Sequence, residues 1–238
     1  MAERLSRPGR PIPPWEPWEA IPVALAAFGA TAIASVLIAA AVGIGGPGLL
    51  LGGLAFELAL GGFSVVWVAV RHRGAVPALG LRSRRPTGDV VLGAFVGAAI
   101  FGVIAFVVFP AIQLLWQAIT GHPPSPIDQL PVEFDLLNTV LSAVLVVAAA
   151  PFGEETFFRG FLYGGLKKRI GLGWAAIVSS GFFAAVHAPQ GGALVPAMFV
   201  VGMLLALLYE WRGSLAASMA GHAAFNIIGF TAIVLSRA

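Results

Sequence analysis

Glu154 and Glu155 stand side by side, with Arg159 four residues further on, in the stretch Pro151-Phe152-Gly153-Glu154-Glu155-Thr156-Phe157-Phe158-Arg159-Gly160. Upstream, Leu136 to Gly153 contains no Asp, Glu, Lys or Arg, and downstream only Gly160 to Leu166 separates the motif from Lys167-Lys168-Arg169. An ionisable side chain at bilayer depth costs at least roughly 2.5–3.5 kcal/mol. Three within six residues of an apolar run therefore point to a functional site. Glu155 and Arg159, at i and i+4, share a helix face and can pair in low dielectric. That pair alone would also serve as a helix-stabilising element. Glu154 projects roughly 100° away and has no partner in its own helix. A desolvated carboxylate beside a histidine is what general-base activation of water requires.

The histidines that could stand beside it are His187, which ends Phe183-Ala-Ala-Val-His187, and His222, in His222-Ala-Ala-Phe-Asn226. A lone His in a membrane helix commonly serves as an interhelical hydrogen bonder, so their placement decides the reading. His222 and Asn226 are four apart and share a face. If the chain turns back at Gly171, Glu154 lies 17 residues before the turn and His187 lies 16 after it. Antiparallel helices then return the two to one depth, within about 1.5 Å. A last helix starting near Gly213 carries Asn226 about 20 Å inward. The three motifs thus converge on one layer. Glu57, in an earlier apolar run, is a further buried carboxylate that the spacing does not assign to catalysis. His72 and His122 read as solvated loop residues. Ser179-Ser180-Gly181 lacks the glycine turn of a serine nucleophile. There is no His-Glu-x-x-His, no pair of intramembrane aspartates and no cysteine.

The elements that must position these groups are membrane helices. The 238 residues are 58% hydrophobic and 11% charged, less than half of the roughly 25% charged residues of soluble domains. The expected fold is an all-α polytopic bundle of about seven transmembrane helices, with six to eight compatible. The spans are Ala20 to Val42, Leu49 to Val70, Val90 to Phe109 (continuing past Pro110 to Ile119), Leu136 to Leu166, Trp174 to His187, Leu194 to Glu210 and Leu215 to Leu235. Pro151 and Gly153 are expected to kink the fourth just before the carboxylates. Basic residues fall in alternate connections: Arg4, Arg7 and Arg10; Arg71, Arg73, Arg82, Arg84 and Arg85; Lys167 to Arg169; and Arg212. That alternation places the N-terminus in the cytoplasm. The expected organisation is a disordered cytoplasmic tail over 1–19, N-terminal transmembrane helices over 20–119 and a catalytic helical core over 136–235. The six tryptophans lie near span ends, as an interfacial belt requires. Small residues four apart (Gly93/Gly97, Gly160/Gly164, Gly202/Ala206) fit close helix packing. Phe157-Phe158 reads as packing or a lipid-facing surface. No basic stripe interleaves with exposed aromatics, so nucleic acid is not an expected partner; membrane lipid is.

In this order, Glu154-Glu155-Thr-Phe-Phe-Arg159, Phe183-Ala-Ala-Val-His187 and His222-Ala-Ala-Phe-Asn226 resemble the motifs of the CAAX protease and bacteriocin-processing (CPBP, or Abi) family of intramembrane proteases. That family includes the type 2 CAAX prenyl protease. The resemblance covers about Leu136 to Phe230. It implies an endopeptidase acting on a membrane-associated or prenylated (CAAX-type) protein or peptide, in which Glu154 and His187 activate water. By the same resemblance His222 and Asn226 stabilise the oxyanion or help bind a metal, while Glu155 and Arg159 hold the site in shape. In a zinc enzyme of this kind Glu154, His187 and His222 would be the ligands of Zn2+; a glutamate-type peptidase needs no metal. Two readings from other classes are a non-enzymatic bacteriocin-immunity or scaffold protein of the same fold and a transporter with a proton relay. The Ala-, Gly- and Arg-rich composition fits a bacterial cytoplasmic membrane.

Overall fold

The computed structural model describes residues 12–124 and 135–237 and contains no strand among them. Helix α1 is Ala20–Val42, α2 is Gly46–Arg71 and α3 is Pro86–Thr120. The next helical stretch, Leu136–Ala185, is broken at Gly171, whose φ of 79° and ψ of 170° are not helical. A side chain at that φ would be strained, which is why the break falls on glycine. We label its arms α4 (136–170) and α5 (172–185). The chain ends with α6, Leu194–Arg212, and α7, Leu215–Arg237. The arms lie antiparallel: the Ser179 hydroxyl donates to the Phe158 carbonyl at 2.8 Å, and the Phe158 and Phe183 rings meet edge-on at 5.5 Å.

Six helices among the described residues are long and apolar enough to cross a membrane, with Leu136–Ala185 counted as one. The expected fifth span is a shorter element than the others. At 1.5 Å per residue α5 is about 21 Å long, against a hydrocarbon core of about 30 Å. It is a half-length arm that returns the chain to the depth of Glu154 and stops.

Two prolines sit just beyond a widened π turn. Ile104–Val108 precedes Pro110, and Leu145–Ala149 precedes Pro151. Proline has no N–H and its ring collides with the carbonyl four residues back, so an extra residue in the turn relieves the clash and bends the helix. The kink expected at Pro151 takes this form. A third π segment, Glu155–Tyr163, carries the acidic motif itself. Its altered backbone pairing leaves carbonyls for outside donors. Phe158 accepts from Ser179, and Phe161 accepts from the Trp15 indole at 2.8 Å.

Gly93 and Gly97 allow α3 to lie against α7 backbone to backbone. A Cβ at either would overlap the carbonyl oxygens of Ala217 and Gly221. Gly202 similarly seats Ser180 and Phe183. Since α7 carries His222 and Asn226, the glycine seam fixes their position. Gly97→Val is expected to cost about 2–3 kcal/mol by overpacking, seen as a lowered melting temperature of the detergent-purified protein.

The connections rich in basic residues meet at one end of the bundle. Arg212 pairs with Asp89 at 2.7 Å, and Ser83 donates to Asp89 at 2.6 Å. Lys167 and Tyr163 both donate to Glu210 at 3.1 Å. The tail expected as disordered needs correction where it is described; residues 1–11 lie outside the described residues. Trp15 is fully buried, stacked on Phe161 at 5.4 Å, and so belongs to the protein interior rather than to an interfacial belt. Glu16 pairs with Lys168 and Arg169 at 3.1 and 2.8 Å. The Arg169 guanidinium holds the Glu16 carboxyl well below the usual range, at about 2. Glu19 accepts from the Trp67 indole at 2.7 Å and pairs with His72 at 2.8 Å. His72, expected as solvated, is therefore half-buried in this strap. His122 is exposed, as expected; most of its loop (125–134) lies outside the described residues.

Candidate active site

Glu154 lies where regular α4 passes into the π segment, and it is 9% exposed. Its Oε1 is 3.9 Å from His187 Nε2 and its Oε2 is 3.7 Å from His222 Nε2. Three groups from α4, the end of α5 and α7 thus face one another at mid-bundle, as the spacing about Gly171 predicts. The separations exceed a hydrogen bond, and Glu154 Oε2 has no hydrogen-bond partner. A water about 2.8 Å from both Glu154 Oε1 and His187 Nε2 would subtend roughly 90° between them, close to its own bond angle.

The far side of each imidazole is committed. His187 Nδ1 lies 2.7 Å from the Phe183 carbonyl. A carbonyl only accepts, so Nδ1 carries the proton and Nε2 offers a lone pair toward Glu154. This bond runs back within the Phe-x-x-x-His motif, and it fixes the ring where α5 ends. His222 Nδ1 lies 3.1 Å from Glu155 Oε1. Glu155 in turn pairs with Arg159 at 2.9 Å, and both side chains are at most 1% exposed. Arg159 also donates to the Gly202 carbonyl at 3.3 Å and lies over the Phe183 ring at 4.3 Å. The Glu155–Arg159 pair is therefore more than a helix staple: it anchors His222 and braces α6.

Asn226 is one turn along from His222, and its amide donates to the Val146 carbonyl at 2.6 Å. Val146 belongs to the π turn ahead of Pro151, so Asn226 satisfies a backbone group that the kink releases. Phe183 is the residue to which the spacing assigned no role. Its ring lies 4.8 Å from His187 and 6.0 Å from His222 and carries the Arg159 guanidinium. Its place in the motif was legible, but its use as a wedge among three polar groups depends on helix crossing. Glu57 is the second addition. It is 9% exposed, and its Oε2 lies against Gly153 with no hydrogen-bond partner. A lone acid inside an apolar span was its only signal. Phe157 and Phe158 are buried and pack edge to face, which makes them interior packing. Ser179 donates to α4 backbone and has no histidine beside it in its bonding, consistent with its exclusion as nucleophile.

The zinc expectation meets a geometric test. Two imidazoles whose other nitrogens are hydrogen-bonded, together with a carboxylate, form a chemically suitable donor set. Ligands of one tetrahedral zinc, however, stand about 3.3–3.4 Å apart given bonds near 2.0–2.1 Å. Here the separations are 3.7 and 3.9 Å, and among the described residues no group of three or more His, Cys, Asp or Glu is arranged to hold a metal ion. The residues as placed do not fit the ion.

Residues 136–228 match the family model described as type II CAAX prenyl endopeptidase Rce1-like. No curated protein and no solved structure matches the chain significantly. The matched stretch runs from the start of α4 into α7 and contains all three motifs. This part of the chain is similar to that CAAX-protease family, and six helices among the described residues are long and apolar enough to cross a membrane, which supports an integral membrane protein.

Proposed function

From the likeness of residues 136–228 to the type II CAAX prenyl endopeptidase family, we propose that this chain is a glutamate-type intramembrane endopeptidase. Its substrate is a membrane-associated or prenylated protein or peptide, and its residence is a bacterial cytoplasmic membrane. The observation that carries this reading is the convergence of Glu154 on two imidazoles from separate helices, His187 Nε2 at 3.9 Å and His222 Nε2 at 3.7 Å. Water held there donates one hydrogen bond to Glu154 and one to His187 Nε2. Glu154 takes the proton as the water oxygen attacks the scissile carbonyl carbon, and the carbonyl electrons move to its oxygen. His222, when protonated on Nε2, and the second amide hydrogen of Asn226 are the donors suited to that oxyanion. Collapse breaks the C–N bond, and Glu154 returns its proton to the departing amine. Glu155 and Arg159 keep His222 oriented throughout. This chemistry uses side chains and water alone.

Incubating the purified protein with a farnesylated peptide library, with and without chelator, tests the reading. Cleavage that survives chelation is expected. Cleavage abolished by chelator and restored by zinc would overturn the metal-independent route, and no cleavage of any member would overturn the substrate class.

A further inference from the structure

We propose that the groove between α1 and α2 binds one anionic phospholipid, with its phosphate at Arg71 and an acyl chain lying along the helices. Val23 and Ala26 of α1 form one wall of a hollow of about 200 Å³, Phe63, Val66, Trp67 and Val70 of α2 form the other, and Arg71 completes the lining. The four α2 residues fall at i, i+3, i+4 and i+7, which is one face of a helix. Ala26 is small where they are large, and this difference in size leaves the hollow. Val66 and Val70 are 55% and 65% exposed, so the groove opens outward, toward lipid in a membrane.

The groove has one charged end and an apolar length, as a phospholipid does. Arg71 is the last residue of α2 and begins the connection that carries Arg73, Arg82, Arg84 and Arg85. Phe63 lies eight residues back along the helix, about 12 Å deeper. The Arg71 guanidinium sits over the Trp67 ring at 5.8 Å, which holds the charge at the mouth of the groove. Among the described residues no carboxylate pairs with it. Glu19, whose side chain meets the same indole, is fully engaged elsewhere. Its Oε2 accepts from Trp67 at 2.7 Å and meets His72 at 2.8 Å, and its Oε1 accepts from the Glu16 backbone at 2.7 Å. These bonds also fix the indole, so the groove is formed before a lipid arrives. An unpaired arginine at head-group level, above an apolar slot between helices, is complementary to a phosphate that carries a hydrocarbon chain. Nothing in this site depends on peptide hydrolysis.

Native mass spectrometry of the detergent-purified chain, offered equal amounts of dioleoyl phosphatidylglycerol and dioleoyl phosphatidylcholine, tests this. The wild type is expected to retain one phosphatidylglycerol about fivefold more than phosphatidylcholine, the effect of one basic residue at an anionic surface. Its melting temperature should rise with the bound lipid. Arg71→Gln is expected to lose both the preference and the rise. Arg84→Gln removes the same charge from the same connection but lies outside the groove, and it should keep both. Ala26→Phe fills the groove and is expected to abolish retention of either lipid. Arg71 and Ala26 are exposed, so both variants should melt like the wild type when no lipid is added. Equal retention of the two lipids by the wild type, a preference that survives Arg71→Gln or is lost equally in Arg84→Gln, or undiminished retention in Ala26→Phe would each overturn the inference. Retention of a farnesylated peptide but of neither lipid would overturn it as well, by assigning the groove to substrate.

Discussion

Glu154→Gln is expected to reduce peptide hydrolysis by about 10²- to 10⁴-fold, the range that a positioned general base supplies, while the protein folds and melts as before. The amide has nearly the same shape, and Glu154 Oε2 has no hydrogen bond to lose. The substitution removes the acid that, among the described residues, faces both imidazoles. Steady-state cleavage of a prenylated peptide beside thermal melts in the same detergent measures both halves of this expectation. The same variant separates the competing classes. A bacteriocin-immunity or scaffold protein would keep its protective effect with Gln at 154, and a transporter would show proton-coupled flux in liposomes that the variant loses.

The largest effect on stability is expected from Arg159→Met. Arg159 and Glu155 are paired at 2.9 Å with at most 1% exposure. Removing one member of such a pair leaves the other charged and unsolvated, which typically costs 3–5 kcal/mol. The contacts of Arg159 with the Gly202 carbonyl and the Phe183 ring are lost as well. The variant is expected to melt far below wild type or to fail to accumulate. Glu155→Gln combined with Arg159→Met should recover part of that loss, because no lone charge remains, yet should not recover turnover, because His222 Nδ1 no longer meets a carboxylate. Melting curves of the two single variants and the double variant form the thermodynamic cycle that checks this.

The depth of the active layer could be read from the sequence because it depends only on helical rise. Glu154 and His187 are nearly equidistant from Gly171, and the break in the helix falls on that residue. The Glu155–Arg159 pair was equally accessible, being a property of one helix face. Other features were not legible, each for a physical reason. Asn226 reaches the Val146 carbonyl because a π turn ahead of Pro151 frees it; the widening of a helix by one residue leaves no mark in hydropathy. The wedge of Phe183 and the approach of Glu57 to Gly153 depend on how helices cross, and crossing is set by glycines whose partners lie far along the chain. Trp15 and Glu16 look like parts of a proline-rich tail because their partners, Phe161, Lys168 and Arg169, are about 150 residues distant in sequence. The length of α5 was readable in residues; that it stops at the depth of the site, rather than crossing, became evident only from its contacts.

The most direct measurement is mass spectrometry of a farnesylated peptide incubated with the purified chain in 18O-labelled water. The expected product is a shortened peptide whose new carboxylate carries label from the solvent, formed by the wild type in the presence of chelator and missing with Glu154→Gln. Unlabelled or absent product from the wild type, or an undiminished yield of labelled product from Glu154→Gln, would contradict it.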